Sequence, residues 1–386
     1  MERSSSARRI WFLQLLRAVA VLGVVTDHLL LGAWRDGAIP AFVANVREPE
    51  LADIQFSRVS DWLFTQGVNF GVMGVGIFLL VSGAVIPVTL DRHSPSQFLI
   101  MRVWRILPVW VVGIVIAGVW FLAYAAATDW PLPTYSFTAW WSNAGLVYDF
   151  LGQPAINPVS WTLLIYLKFY VLCALFAWAN LLRNATAMVS LVVFLNAAAM
   201  AGERFVITGP VPVGMMERLA AILSLAAPMM CLTFAGVCVY NRLSGHWTLT
   251  KMLGNVSAMV VVMWASFEWA VPQLAYLQRS MAVGGVVFAA AYCLRDRLPH
   301  SRVMDWVANI SYPIYAVHYV FGIGLMYTVY AAVPIRIVAQ VAALLAVFLL
   351  AAALHRWVEV PTNTWGRRLA APLKSRMPTR RQVPER

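Results

Sequence analysis

An arginine and a histidine lie eleven positions apart inside the first long apolar run of the sequence, Ile10–Leu31. The run is long enough to cross a bilayer as a helix, because about 20 apolar residues suffice. Ionisable side chains at that depth cost free energy, so Arg17 and His28 are candidates for a functional site. At ~100° per residue they share one helix face, ~16 Å apart along its axis. Such a face combines a fixed cation, suited to an anionic ligand, with an imidazole suited to general-base chemistry.

The composition is that of an integral membrane protein. Of the 386 residues, 61% are hydrophobic and 12% are charged, whereas soluble domains carry roughly 25% charged residues. Ten apolar runs predict spans: Ile10–Leu31, Val68–Val88, Val103–Ala127, Trp161–Leu182, Met188–Met200, Leu219–Tyr240, Val256–Val271, Ser280–Leu294, Ile310–Ala332 and Ile337–Val358. We therefore predict an all-α polytopic membrane protein with about ten transmembrane helices.

The distribution of lysine and arginine predicts that both termini are cytoplasmic. With the N-terminus inside, 20 of the 29 basic residues fall in cytoplasmic segments and 7 outside, while Arg17 and Lys168 lie within spans. This bias follows the positive-inside rule, so the net charge of +12 needs no nucleic-acid partner. The predicted organisation is a cytoplasmic segment 1–9, a transmembrane domain 10–366 and a basic, disordered cytoplasmic tail 367–386. The four cysteines lie in apolar runs without metal-ligand spacing and predict neither disulfides nor a metal site.

Other stretches also carry side chains suited to chemistry. Arg102 and Arg105, at i and i+3 on one helix face, either anchor a helix at the cytoplasmic interface or bind phosphate groups. The glycines of Gly71–Gly76 indicate close packing on the first helix, since no preceding strand and no downstream Lys-Ser/Thr completes a phosphate-binding loop. Lys168 and His318 are further ionisable residues within spans, expected to face the protein interior.

Taken in order, these stretches resemble the motifs of the acyltransferase family 3 membrane proteins. LLRAVAVLGVVTDH is similar to the first-helix motif, an arginine and a histidine separated by ten residues, here Arg17 and His28. GVGIFLLVSGAVI resembles the Ser-Gly motif at Ser82 and Gly83, and FLIMRVWRILP resembles the Arg-x-x-Arg motif. PVSWTLLIYLKFY, ISYPIYAVHY and VEVP with GRRL follow in the family's order, so the resemblance covers roughly residues 10–370.

The resemblance implies a membrane-embedded O-acyltransferase of the bacterial inner membrane. Its donor substrate would be cytoplasmic acyl-CoA, most often acetyl-CoA, and its acceptor a hydroxyl of a cell-surface or lipid-linked glycan. No permanently bound cofactor and no metal is implied. The residues implied are His28 and Arg17 as catalytic, Arg102, Arg105, Ser82, Gly83 and His318 as donor-binding, and Trp161, Tyr166 and Lys168 as acceptor-binding.

One position departs from the family's pattern. Members usually carry a glutamate in the fourth motif where this chain has Tyr166, which removes a carboxylate that would polarise the histidine or bind the acceptor. Two alternatives to an enzyme are a glycan transporter or flippase and a catalytically silent assembly partner. The missing glutamate is the only feature that supports the silent partner. The sequence shows no internal repeat and no broken helices in matching halves, which favours the enzyme over the transporter.

Overall fold

The computed structural model describes residues 2–51, 56–207, 214–269 and 275–371, and every regular element in these ranges is a helix. The first nine α-helices are α1 Glu2–Val25, α2 Ala33–Arg35, α3 Ala38–Ala44, α4 Arg58–Thr65, α5 Phe70–Leu90, α6 Pro95–Thr128, α7 Phe137–Ala144, α8 Tyr148–Leu151 and α9 Ser160–Trp178. The second nine are α10 Ala185–Gly202, α11 Met215–Leu243, α12 Leu249–Trp269, α13 Ala275–Leu294, α14 Arg302–Asn309, α15 Ser311–Val317, α16 Val320–Ala332, α17 Arg336–Leu354 and α18 Val360–Ala370. Three π-helical segments follow directly on α-helices: Thr26–Gly32 on α1, Glu203–Ile207 on α10 and His355–Glu359 on α17.

The number of membrane-spanning helices agrees with the sequence prediction. Within the described ranges, nine helical segments are long and apolar enough to cross a membrane, and α15 with α16 forms a tenth as a bent pair. The chain is therefore an all-α polytopic membrane protein, as predicted. The orientation of its termini stays a prediction.

The predicted ninth span, Ile310–Ala332, was wrong in one respect. The helix is not continuous but turns by 60° between α15 and α16. The break falls at His318 and Tyr319, where the chain has neither proline nor glycine. A local interaction accounts for it, since the His318 ring hydrogen-bonds carbonyl oxygens of the last turn of α15.

Helix α5 lies at the centre of the bundle, against α1, α11 and α13. Small residues allow the backbones to approach closely. A Cβ atom built on Gly74 would lie 2.4 Å from the carbonyl oxygen of Ala20 in α1, so the predicted close packing of the glycine run on the first helix is confirmed. Gly83 contacts α11 in the same way, where a Cβ would lie 1.9 Å from the carbonyl oxygen of Thr233.

Replacing Gly83 by alanine is expected to destabilise the bundle by on the order of 3 kcal/mol, because the added methyl group overlaps backbone atoms that cannot move independently. Gly285→Ala in α13 is the matched control, since a Cβ there meets open space and alanine favours a helix over glycine. Thermal unfolding in detergent, followed by size-exclusion chromatography, measures both variants. Equal melting temperatures would contradict the packing described here.

The C-terminal helix lies against α6. Helix α18 ends at Ala370 and includes Arg367 and Arg368, the first two residues of the predicted tail. Residues 372–386 of that tail lie outside the described residues. The boundaries of the transmembrane domain therefore stay predictions.

Candidate active site

Two cavities lie at different levels along the first helical span. The arginine cavity, of about 240 Å³, is lined by Arg17, Arg102 and Arg105 together with apolar and hydroxyl-bearing side chains. The histidine cavity, of about 350 Å³, is lined by Asp27 and His28 together with residues of the loop that follows. The two predicted catalytic residues of the first span thus face separate cavities.

His28 is paired with a second histidine. His28 lies in the π-helical segment Thr26–Gly32, and its Nδ1 is 2.8 Å from Nε2 of His318 at the break between α15 and α16. The two rings are nearly parallel, with an interplanar angle of 12°. π-Helical segments are frequent at functional sites because they offset side chains from the regular helical positions.

The hydrogen-bond network assigns the protons of this pair. Nδ1 of His318 lies 2.9 Å from the carbonyl oxygen of Tyr315 and 3.2 Å from that of Ile314. A carbonyl oxygen only accepts, so Nδ1 of His318 carries the proton and, in a neutral ring, its Nε2 accepts. Nδ1 of His28 is then the donor to His318. The lone pair of His28 is left on Nε2.

That lone pair is on the ring nitrogen nearer to Asp27, and His28 lines the histidine cavity. Nε2 of His28 lies 3.9 Å from Oδ2 of Asp27, which lines the same cavity. The His28 side chain is 25% exposed, whereas His318 is completely buried. His28 is therefore accessible to a ligand through the nitrogen that is free to act as a base.

Sequence reasoning did not find this pair. The family resemblance assigned His318 to the donor site. The pair was missed because the two histidines are separated by 290 residues and no local pattern connects them. The available signal was that both are ionisable residues within apolar runs, where each requires a polar partner.

Two of the three arginines of this cavity, Arg17 and Arg102, are partly buried and held by neutral groups. Arg17 donates from Nη1 to Oε1 of Gln14 at 3.0 Å and from Nη2 to Oγ of Ser311 at 3.1 Å. Arg102 donates from Nη2 to Oγ1 of Thr89 at 3.0 Å. These partners fix the guanidinium groups in place without neutralising their charge.

No carboxylate of the described residues forms an ion pair with Arg17, Arg102 or Arg105. The nearby Glu359 is 2% exposed and its Oε2 lies 2.7 Å from Nδ1 of His355, an ion pair if that histidine is protonated. Three cations around one cavity repel one another unless an anion binds between them. Arginine binds phosphate and carboxylate through its fork of N–H donors, so the cavity is suited to an anion with several charges.

A group of hydroxyls lines the arginine cavity as well. Ser82, Thr162, Tyr166 and Tyr315 contribute them, and the Tyr315 hydroxyl lies 2.5 Å from Oγ1 of Thr162. The Tyr315 side chain thus lines the arginine cavity, while its carbonyl oxygen accepts the hydrogen bond from His318. One residue therefore connects the wall of the arginine cavity to the histidine pair.

Tyr166 occupies the position where the family usually carries a glutamate. Its side chain lines the arginine cavity rather than the histidine cavity. Its buried hydroxyl is close to the Ser82 side chain but meets hydrogen-bond geometry with none of the described residues. A carboxylate at this position would therefore face the guanidinium groups. The hydrogen-bond partner of the His28 ring is His318, so the tyrosine does not deprive His28 of its partner.

Besides His318, three of the predicted substrate-binding residues line neither cavity. Gly83 contacts α11 through its backbone, and Trp161 packs partly buried against the core. Nζ of Lys168 lies 2.8 Å from Oδ2 of Asp149, beside a third, apolar cavity of about 500 Å³. Their assignment to substrate binding has no support from this geometry.

The histidine cavity is bounded by the loop after the first span. Arg35 donates from Nη2 to Oδ1 of Asp61 at 2.7 Å and to Oγ of Ser60 at 2.9 Å. Its guanidinium also stacks on the rings of Phe56 and Phe64, 4.0 and 4.6 Å from their centroids. These contacts anchor α4 over the cavity.

Comparison with known families agrees with the motifs read from the sequence. The family model of the acyltransferase 3 type, described as an acyltransferase domain, matches residues 10–356. No curated protein and no solved structure matches the chain. The matched region contains α1 from Ile10 onward, α6, α15 and α16, and with them both histidines and all three arginines. The chain belongs to acyltransferase family 3, and it is a multi-pass membrane acyltransferase.

Proposed function

We propose that the protein is an O-acyltransferase of the bacterial inner membrane that moves an acyl group, most often acetyl, from cytoplasmic acyl-CoA to a glycan hydroxyl at the outer face. The observation that carries the proposal is the orientation of His28. Its Nδ1 is bound to His318 and its Nε2 faces a cavity, which is the arrangement required of a general base.

The arginine cavity supports the choice of donor. Coenzyme A carries several phosphate groups, and Arg17, Arg102 and Arg105 present guanidinium groups that no described carboxylate neutralises. Helix α6 begins at the end of the bundle predicted to be cytoplasmic, and the cytoplasm is the compartment of acyl-CoA. Tyr315 links this cavity to the histidine pair, because its side chain lines the cavity and its carbonyl oxygen accepts a hydrogen bond from His318.

The proposed reaction is a direct transfer in which His28 acts as the base. Nε2 of His28 removes the proton of the acceptor hydroxyl as its oxygen attacks the thioester carbonyl. The C–O bond forms, the C–S bond breaks, and the thiolate of coenzyme A leaves with the electron pair. The proton held on His28 then passes to the thiolate or to water.

His318 has a positioning role in this mechanism. It accepts from Nδ1–H of His28, so the basic lone pair of His28 is fixed on Nε2, and it resists rotation of the ring. When His28 becomes charged, its Nδ1–H remains bonded to His318, and the carbonyl oxygen of Tyr315 polarises that second ring. A carboxylate has the corresponding position in the Ser-His-Asp arrangement.

The walls of the histidine cavity support a glycan as the acceptor. Its lining combines acidic, basic and hydroxyl-bearing side chains with aromatic rings such as Phe64 and Tyr319. Sugar hydroxyls form hydrogen bonds with the polar groups, while C–H faces of the ring pack on aromatic side chains. Lipid-linked and surface saccharides are both accessible from the outer face of a membrane.

The proposal is tested by incubating membranes that contain the protein with radiolabelled acetyl-CoA and the de-acylated surface glycan of the same cells. Label is expected in the glycan, in alkali-labile form as an ester. Membranes without the protein are the control. Label that stays out of the saccharide, while the glycan itself crosses the membrane only when the protein is present, would instead support the transporter hypothesis.

Replacing Arg102 or Arg105 by alanine is expected to raise the KM for acetyl-CoA about 10- to 100-fold with little change in kcat, because one charge-assisted contact to phosphate is lost. Arg92→Ala is the matched control, since this exposed arginine lines neither cavity. Initial rates over a range of acetyl-CoA concentrations measure the effect. An equal change in the Arg92 variant would show that surface charge, rather than the cavity, binds the donor.

A further inference from the structure

One carboxylate in the histidine cavity has no role in the mechanism above. Oδ2 of Asp27 lies 3.9 Å from Nε2 of His28, which is too far for a hydrogen bond between them. Asp27 does not orient the His28 ring, because His318 holds the other nitrogen. Both residues line the same cavity.

The position of Asp27 is fixed by the start of α5. Nδ2 of Asn69 donates to Oδ2 of Asp27 at 2.8 Å, while Oδ1 of Asn69 caps the helix by accepting from the amide of Val72. A Cβ built on Gly71 would lie 2.9 Å from Oδ2, so glycine at this position gives the carboxylate the room it occupies. The residue is 8% exposed, and its charge lies at the positive end of a helix.

A carboxylate only accepts hydrogen bonds, and its two oxygens offer about four lone-pair sites. Nδ2 of Asn69 and the backbone N–H groups of Phe70 and Gly71 donate to this carboxylate, so about one of its lone-pair sites is left for a ligand in the cavity. Nε2 of His28 is an acceptor as well. A ligand that bridges the two must therefore provide two donors a few ångströms apart.

We propose that Asp27 is a specificity-determining residue that selects acceptors with two adjacent free hydroxyls. One hydroxyl donates to Nε2 of His28 and is acylated, while its neighbour donates to Oδ2 of Asp27. The substrate class is a saccharide unit with an unsubstituted vicinal diol. This inference rests on the proposed function for the acylation of the first hydroxyl, but the binding of the diol is independent of it.

A different role for Asp27 makes a different prediction. If the carboxylate only stabilised the positive charge that develops on His28, its loss would slow transfer to every acceptor alike. A hydrogen bond to the second hydroxyl instead discriminates between a diol and an analogue that lacks the second donor, since the analogue leaves a lone-pair site of the buried carboxylate unpaired.

The test measures protection of His28 from diethyl pyrocarbonate, a reagent that modifies the unprotonated imidazole nitrogen. The full-length protein in detergent is treated with the reagent, and modification of His28 is quantified by peptide mass spectrometry. The two probes are trans-1,2-cyclohexanediol and its monomethyl ether, which keeps one hydroxyl and both oxygens but lacks the second donor. The diol is expected to protect His28 at a concentration about tenfold lower than the ether.

Substitutions assign the difference to Asp27. In Asp27→Ala the two probes are expected to protect within about twofold of each other, and in Asp27→Asn, which keeps the shape, the ratio falls to an intermediate value because a neutral amide oxygen accepts more weakly. Asp36→Asn removes a charge from the wall of the same cavity and is expected to keep the wild-type ratio. Size-exclusion profiles show whether each variant is folded. If Asp27→Ala is not folded, Asp27→Asn decides the outcome.

Equal protection by the two probes in the wild-type protein would overturn the inference, as would a tenfold ratio that persists in both Asp27 variants. These outcomes do not depend on catalysis. Selective protection in a protein that transfers no label from acetyl-CoA would leave the diol site standing while the proposed function fails. Transfer of label without selective protection would support the proposed function and overturn the diol site.

Discussion

Replacing His28 by alanine is expected to abolish acyl transfer, with a loss of at least about 10³-fold in the rate. A positioned general base contributes roughly 10²–10⁴-fold, and the alanine variant also loses the group that fixes the acceptor hydroxyl. The measurement is the initial rate of label transfer from acetyl-CoA to glycan at saturating donor. The KM for acetyl-CoA is expected to change little, because the arginine cavity does not include His28.

His246→Ala is the matched control, since His246 is exposed on the turn between α11 and α12 and lines neither cavity. Its transfer rate is expected to stay within about twofold of the wild-type rate, as is usual for surface substitutions. Thermal unfolding in detergent shows whether the His28 variant is folded. A folded His28→Ala protein that keeps more than a tenth of its activity would exclude His28 as the base.

A second large loss of transfer rate is expected on replacing His318, which contacts neither substrate in the proposed mechanism. His318→Ala removes the acceptor of the His28 Nδ1 proton, so the ring can rotate and exchange tautomers. We expect kcat to fall by about 10²–10³-fold, as for the loss of the orienting residue in related arrangements. The KM for acetyl-CoA should remain unchanged, which separates this role from the donor-binding role that the sequence suggested.

His318→Gln distinguishes positioning from packing. A glutamine extends a carbonyl oxygen toward the place of the imidazole Nε2, where it accepts from Nδ1 of His28. Its kcat is therefore expected to exceed that of the alanine variant by at least about tenfold, since one hydrogen bond to a group that becomes charged is restored. His318→Leu fills a similar volume without an acceptor and should not be rescued. Equal rates in the glutamine and leucine variants would mean that His318 acts by packing alone.

The sequence predicts the spans and the approach of α5 to α1 because both depend on local composition. An apolar run of about 20 residues has few alternatives to a membrane helix, and closely spaced glycines permit one specific kind of contact. The two arginines of α6 are also predictable, because i and i+3 residues share a helix face. Each of these features is determined within a single element.

The histidine pair could not be predicted because it depends on a contact between distant elements. Residues 28 and 318 are brought together by the packing of α15 and α16 against the first span. The sequence has no proline or glycine at His318 or Tyr319 that would predict the break in the helix. The role of Gly83 also depends on a distant element. Its place in the motif suggested donor binding, but its backbone packs against α11.

The central claim is that a donor bound at one membrane face acylates an acceptor at the other face, with His28 as the base. Sealed right-side-out vesicles test this claim most directly. Radiolabelled acetyl-CoA is enclosed inside the vesicles or added outside, with the de-acylated glycan always outside. Label is expected in the glycan only when acetyl-CoA is enclosed, and none is expected with His28→Ala. Equal labelling from external acetyl-CoA, or labelling that persists in the His28 variant, would contradict the account.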